Sequence, residues 1–145
     1  MASAAELETG ERYMAIARRW FTEGWTGNLA MADEIFSEEL RTNGVRVGVA
    51  GPITRIRDRL AGFPDVTTSI EDMFVSGTKL AVTLMWRGTH TGPYGGVAPT
   101  GKPVEVRDTA IWHFQDGKVT EILTIQDQFG ILKQIGYLPD SVHAA

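Results

Sequence analysis

The sequence predicts an α+β fold, with helices packed on one face of a curved antiparallel sheet. Two observations carry this. Apolar residues near the N-terminus recur at helical spacing, and after residue 66 the pattern changes to alternation. The alternating stretches are joined by tight turns, "SGTK" and "QDGK".

Each element has its own signal. Tyr13, Ile16, Ala17, Trp20 and Phe21 fall at i, i+3, i+4, i+7 and i+8, one face of an amphipathic helix, and Gly24 is its stop. A second helix is expected to hold Met31, Ile35 and Phe36, and a short strand to cover residues 40–49. "GPITRIRDRLAGFPD" reads as a short basic helix closed by Gly62 and Pro64. Strands are expected over 66–75, 80–90, 104–114 and 119–126. The second of these carries Trp86. A last helix carries Phe129, Leu132 and Ile135, with Asp127 as cap and Gly136 as stop. One domain is expected over 11–138, with a flexible N-terminus 1–10 and a flexible tail 139–145.

Composition removes several function classes. Of 145 residues 43% are hydrophobic and 22% charged, which fits a globular chain with a sizeable core. The net charge is −4 and there is no basic run, which argues against nucleic acid as a partner. No apolar stretch approaches the ~20 residues of a membrane span, so no membrane partner is expected. "MASAAELETGER" lacks a basic-then-apolar leader pattern. Zero cysteines exclude disulfide and thiol chemistry and fit a cytoplasmic location.

Gly96 to Lys102 fits the spacing of a phosphate-binding loop, but the next residue is Pro103, with neither hydroxyl nor N–H. Alternation follows where a helix should begin. The stretch reads instead as a long connection between strands, with Gly and Pro shaping its turns.

The strand at 104–114 holds the main chemical anomaly. One face reads Val104, Val106, Asp108, Ala110, Trp112 and Phe114, because side chains alternate along a strand. A carboxylate on that apolar face must be paired or functional. As a functional group it would have a raised pKa and act as general acid or base. A lone carboxylate there also predicts that Asp108→Asn folds as well as the parent, or better. Thr124 offers a cavity hydroxyl or serves as a β-former. His90, His113 and His143 lie at no ligand spacing, so no metal and no cofactor are expected. Trp20, Trp25, Trp86 and Trp112 either fill the core or wall a pocket for a flat, hydrophobic ligand.

The stretches "ARRWFTEG", "RGTHTGPYGGVAPTGKPVEV", "FQDGKVTEI" and "DQFGILKQIG" resemble the SnoaL-like polyketide cyclases of the nuclear transport factor 2-like superfamily. The likeness spans residues 11–136. It implies a cone, with a bent sheet and helices enclosing a hydrophobic cavity, commonly as a homodimer. The glycine-rich stretch then resembles the family's loop at the cavity mouth, with Tyr94 able to cover a ligand. Phe21 matches the first-helix aromatic that lines the cavity. The family's acid/base Asp stands six residues after the Lys of the last turn, which here is Thr124; the His two before it is Ile122, and the other polar position is Ala110. None of these can move a proton at neutral pH, so Asp108 is the expected replacement. His90 and Tyr94, near the mouth, are next in line as catalysts. Phe21, Trp25, Asn43, Trp86, Trp112, Ile122 and Thr124 are the expected substrate contacts. The outer face Glu105, Arg107, Thr109, Ile111 and His113 suits a dimer interface.

Two classes of function follow. One is a cofactor-independent cyclase or isomerase of polyketide-like metabolism; related cones also open epoxides and dehydrate. The other is a non-catalytic protein that holds a hydrophobic ligand.

Overall fold

The computed structural model describes residues 1–139 and 141; His143 and most of the expected tail lie outside them. Helix α1 (Ala4–Arg19) begins well inside the stretch 1–10 expected to be flexible. A capping box explains the early start. The Ser3 hydroxyl accepts from the Glu6 N–H at 3.2 Å, and the Glu6 carboxylate accepts from the Ser3 N–H at 3.3 Å. The apolar period starts only at Tyr13, so it misses this mostly exposed first half. At its C-terminal end α1 widens into one π-helical turn, Trp20–Gly24. A Cβ at Gly24 would collide with the Trp20 indole, so the expected stop is also a packing requirement.

A 3₁₀ turn (Leu29–Met31) and a four-residue helix α2 (Ala32–Ile35) follow, and Phe36 already belongs to strand β1 (Phe36–Thr42). The single strand expected at 40–49 is instead a hairpin between β1 and β2 (Val45–Arg46). Asn43 and Gly44, at φ 49° and φ 83°, form its two-residue turn. Positive φ at both central residues is what such a turn requires. Helix α3 (Ala50–Gly62) leads to β3 (Thr67–Ser76), β4 (Lys79–Thr89), β5 (Pro103–Gln115) and β6 (Lys118–Gln126). These four strands form an antiparallel meander. The β5–β6 turn carries Asp116 at φ 52° and Gly117 at φ 80°, as "QDGK" predicts. Helix α4 (Gln128–Gln134) is capped by Asp127, whose carboxylate accepts from the Gly130 N–H at 2.8 Å. Its buried side is Ile131, with Ile135 just beyond, rather than Phe129.

The sheet order is β2-β1-β6-β5-β4-β3, open at both edges. It is mixed, not antiparallel throughout: β1 runs parallel to β6, with Phe36 opposite Val119 and Thr42 opposite Ile122. Irregular registers at Ile70/Asp72 and His113/Phe114 help bend it. The expected inner face of β5, Val104 to Phe114, is buried at every position. Tyr13 stacks on Phe114 with centroids 3.9 Å apart, and Trp20 meets Phe36 edge-on at 4.9 Å. The edge-on pair has the geometry that the aromatic quadrupole favours. Among the described residues no helix is long and apolar enough to cross a membrane.

Candidate active site

The bent sheet, the π-helical turn and α3 surround a cavity of about 610 Å³. Such a volume suits a small organic ligand. Its walls differ. One is aromatic: the π-helical turn projects Trp20 and Phe21, Trp25 follows it, and β5 supplies Trp112. Phe21 lies 5.0 Å from Trp112 and 5.4 Å from Trp25, centroid to centroid. The other wall is polar and contains Asp108, Thr124 and Arg55.

Asp108 is 1% exposed. Its Oδ2 accepts from Arg55 Nη2 at 3.1 Å and lies 3.8 Å from Arg59 Nη2; its Oδ1 accepts from the Thr124 hydroxyl at 3.1 Å. Burial pushes its pKa above the ordinary 3.8, and the two guanidiniums and the Thr124 hydroxyl pull it back only in part. Desolvation disfavours the charged form, and donors and cations favour it. Arg59 is 3% exposed and lies between two indoles, 3.9 Å from Trp25 and 5.1 Å from Trp86. Indole faces attract a cation at this range. Its Nη2 also donates to Gln126 Oε1 at 3.3 Å. Burial, helped by the charge of Arg55, lowers its pKa to about 10 against the opposing pull of Asp108. Arg55 is the accessible partner, with 37% of its side chain exposed.

Six expected site residues meet here: Asp108, Phe21, Trp25, Trp112, Ile122 and Thr124 all line the cavity. Four do not. Asn43 stands behind Thr124 and bonds its backbone, donating to the carbonyl at 3.2 Å and accepting from the N–H at 3.0 Å. Trp86 lies fully buried beneath Arg59, away from the cavity lining. His90 is also fully buried, packed on Phe63 at 5.5 Å, and its Nδ1 accepts from the Thr100 N–H at 3.2 Å. Its position is a loop anchor, because "HTGPYGG" folds back across α3 instead of over Asp108. Tyr94 follows that loop and lines a different cavity.

Sequence reading misses Arg55 and Arg59, although a signal exists. Pro52, Ile56 and Arg59 share the buried face of α3, so the helix, like β5, has one charge on its apolar side. Two such anomalies on facing elements are each other's explanation.

Comparisons with known proteins agree with this architecture. The chain matches the SnoaL-like polyketide cyclase profile over residues 15–135. No curated protein matches it. Among solved structures it is similar to IdmH, a candidate polyketide cyclase of Streptomyces antibioticus, with 25% identity, a TM-score of 0.74, and coverage of 85% of this chain and 97% of that one. It shares its fold with a candidate SnoaL-like polyketide cyclase of Jannaschia sp. CCS1 (24% identity, TM-score 0.82, 96% of this chain and 99% of that one). AclR of Streptomyces galilaeus, a candidate hydroxylase, is similar in fold too (23% identity, TM-score 0.75, 97% of this chain and 87% of that one). With the profile spanning most of the chain and the cavity built on the same bent sheet, the protein belongs to the SnoaL-like polyketide cyclase family.

Proposed function

We propose that the protein is a cofactor-independent cyclase or isomerase of polyketide-like small molecules, with Asp108 as its acid/base. One observation carries the reading: a buried carboxylate of raised pKa stands on the cavity wall with both oxygens oriented by donors. A carboxylate so placed can take a proton from a carbon flanked by carbonyls. The enolate attacks a carbonyl carbon of the same molecule, a C–C bond closes, and Asp108 returns the proton to the new alkoxide. The balance needs no co-reactant. Arg55, reachable and 3.1 Å from Asp108, is suited to steady the oxyanion. The aromatic wall holds the substrate in its reactive fold. Thr124, the position where the resemblance places the family's acid, donates to Asp108. Its strand partner is Ala110, two residues from Asp108 on β5, so the carboxylate has moved to the next strand while still meeting the same position.

A second reading is a non-catalytic binding protein. It is favoured by the pairing of Asp108 with two arginines, which a purely structural carboxylate would also show. Turnover of a cyclisable polyketide-like substrate by wild type and Asp108→Asn separates the two: equal rates leave Asp108 structural.

Pairing as a homodimer through the outer face of β5 and β6 is part of the proposal. There Ile111 opposes Leu123, and Ile125 is opposite Thr109, all three apolar side chains exposed. Light scattering of wild type and Leu123→Glu tests it; a wild type that is monomeric at micromolar concentration removes it.

A further inference from the structure

The parallel pairing of β1 with β6 ends at Thr42, opposite Ile122. There β1 turns away into its hairpin, and the Asn43 N–H donates across to the Ile122 carbonyl at 2.9 Å. β6 runs on to Gln126 without a β1 residue beside it. Backbone N–H and C=O groups left at such an edge need partners. The Asn43 side chain supplies them for Thr124. Its Oδ1 accepts from the Thr124 N–H at 3.0 Å, and its Nδ2 donates to the Thr124 carbonyl at 3.2 Å. A carboxamide carries the same donor and acceptor as a peptide group, so it stands in for the next residue of β1.

The position narrows the choice of residue. Asn43 sits at φ 49°, a region that Gly, Asn and Asp tolerate best. Glycine has no side chain to offer, and an ionised aspartate accepts but cannot donate. Asparagine alone of the three can hold both groups of Thr124. Thr124 in turn faces the cavity. Its β-branch restricts rotation about χ1, so a fixed backbone gives a fixed hydroxyl. That hydroxyl donates to Asp108 Oδ1 at 3.1 Å. Asn43 is exposed and Asp108 is buried, yet one residue joins them.

We infer that Asn43 is a positioning residue of the active site: its carboxamide fixes the backbone of Thr124 so that the Thr124 hydroxyl stays on Asp108. This rests on the proposal that Asp108 is the acid/base. Asn43 does not line the cavity, so it takes no space from a substrate and acts through Thr124. The Thr124 hydroxyl favours the charged form of Asp108. Releasing the clamp should therefore raise the pH at which Asp108 titrates, as deleting the hydroxyl does.

Asn43→Gly tests this, because glycine accepts the positive φ and Gly-Gly suits a two-residue hairpin turn, while the carboxamide is gone. The titration of Asp108 is read by NMR from protein carrying isotope-labelled aspartate carboxyls, its signal assigned by its absence in Asp108→Asn. Asn43→Gly should raise the midpoint by at least half the rise that Thr124→Val gives. The double variant should titrate as Thr124→Val alone does, since the clamp has nothing left to position. Asp116→Gly alters the other turn that holds a non-glycine residue at positive φ and should leave the midpoint in place. Circular dichroism confirms the fold of each variant. An unmoved midpoint in Asn43→Gly, a double variant in which the two rises add, or an equal rise in Asp116→Gly overturns the inference. Full turnover by Asp108→Asn overturns it by a separate route, through the acid/base reading, whatever the titration shows.

Discussion

The cavity side of β5 and the rim where α3 gives way to β3 each hold an aspartate bonded to a threonine. At the cavity, Asp108 accepts from Thr124 and faces two arginines. At the rim, Asp65 accepts from the Thr89 N–H and hydroxyl, both at 2.7 Å, with no arginine partner among the described residues. Counting partners alone would make Asp108 the stronger acid. The opposite holds. Asp65 is exposed and its donors hold it below the usual carboxylate range, while burial lifts Asp108 above it. Donors lower a pKa only by what they add beyond the water they replace. The rim aspartate keeps its water and is a clamp; the cavity aspartate has lost it, and its charged form is the disfavoured one.

The largest expected effect breaks the cavity side. Asp108→Asn should lower turnover by about 10² to 10⁴ in steady-state assays. It should keep its stability at neutral pH or gain some, because burying the charge costs more than the two arginines and Thr124 return. Arg59→Leu comes next, at about 3–5 kcal/mol in denaturant unfolding, since one member of a buried pair is removed. Combining it with Asp108→Asn should cost less than the sum of the two single effects, by about 0.5–3 kcal/mol. Additive effects would show that the pair is uncoupled.

Thr124→Val is smaller, about 1.5–3 kcal/mol for a hydrogen bond to a charged group. It removes a donor that lowers the Asp108 pKa, so the acid limb of the pH–rate profile should move to higher pH. A limb that stays put would mean that Asp108 does not set it. The smallest effect is at the rim. Asp65→Asn should cost under about 1 kcal/mol because the group is exposed and screened.

The two aspartates should also respond oppositely to pH. Asp65 has a lowered folded pKa, so its contribution is present above the unfolded value near 3.8 and fades as pH falls through the folded one. Asp108 has a raised folded pKa, so its contribution is fullest below 3.8 and fades as pH rises through the folded value. The stability penalty of Asp65→Asn should therefore grow with pH, whereas Asp108→Asn should become more favourable to folding as pH rises. Urea titrations at stepped pH values read both slopes.

Much of the fold is legible from local pattern. The period-2 stretches after residue 66 match β3 to β6 within a residue or two, and the face parity of β5 puts Asp108 indoors without knowledge of any contact. What escapes is long-range. The parallel pairing of β1 with β6 leaves no periodic trace, since it joins segments from opposite halves of the chain. The Asn43–Gly44 turn is a readable hairpin signal hidden in a short strand of mixed polarity. Arg59 escapes because "GPITRIRDRLAGFPD" looks evenly basic, although its apolar spacing marks one arginine as inward. Sequence neighbourhood alone places His90 and Tyr94 near Asp108, and a loop that folds back defeats that reasoning.

That loop is pinned at its base. The His90 N–H donates to the Lys102 carbonyl at 2.9 Å, and the Gly101 N–H donates to the His90 carbonyl at 2.8 Å. Gly92 and Tyr94 are packed against α3, whereas Gly95 and Gly96 sit at positive φ with open space around them. Clamped feet and an exposed two-residue tip, closed by the Tyr94–Val97 backbone pair at 3.1 and 2.8 Å, make an exchangeable cassette. Doubling the length of a flexible loop costs only about 0.6 kcal/mol in closure entropy. Insertions between Gly95 and Gly96 can therefore drift or be engineered without unzipping β4 from β5, and new side chains grafted there would stand next to Tyr94, at the rim of the cavity it lines.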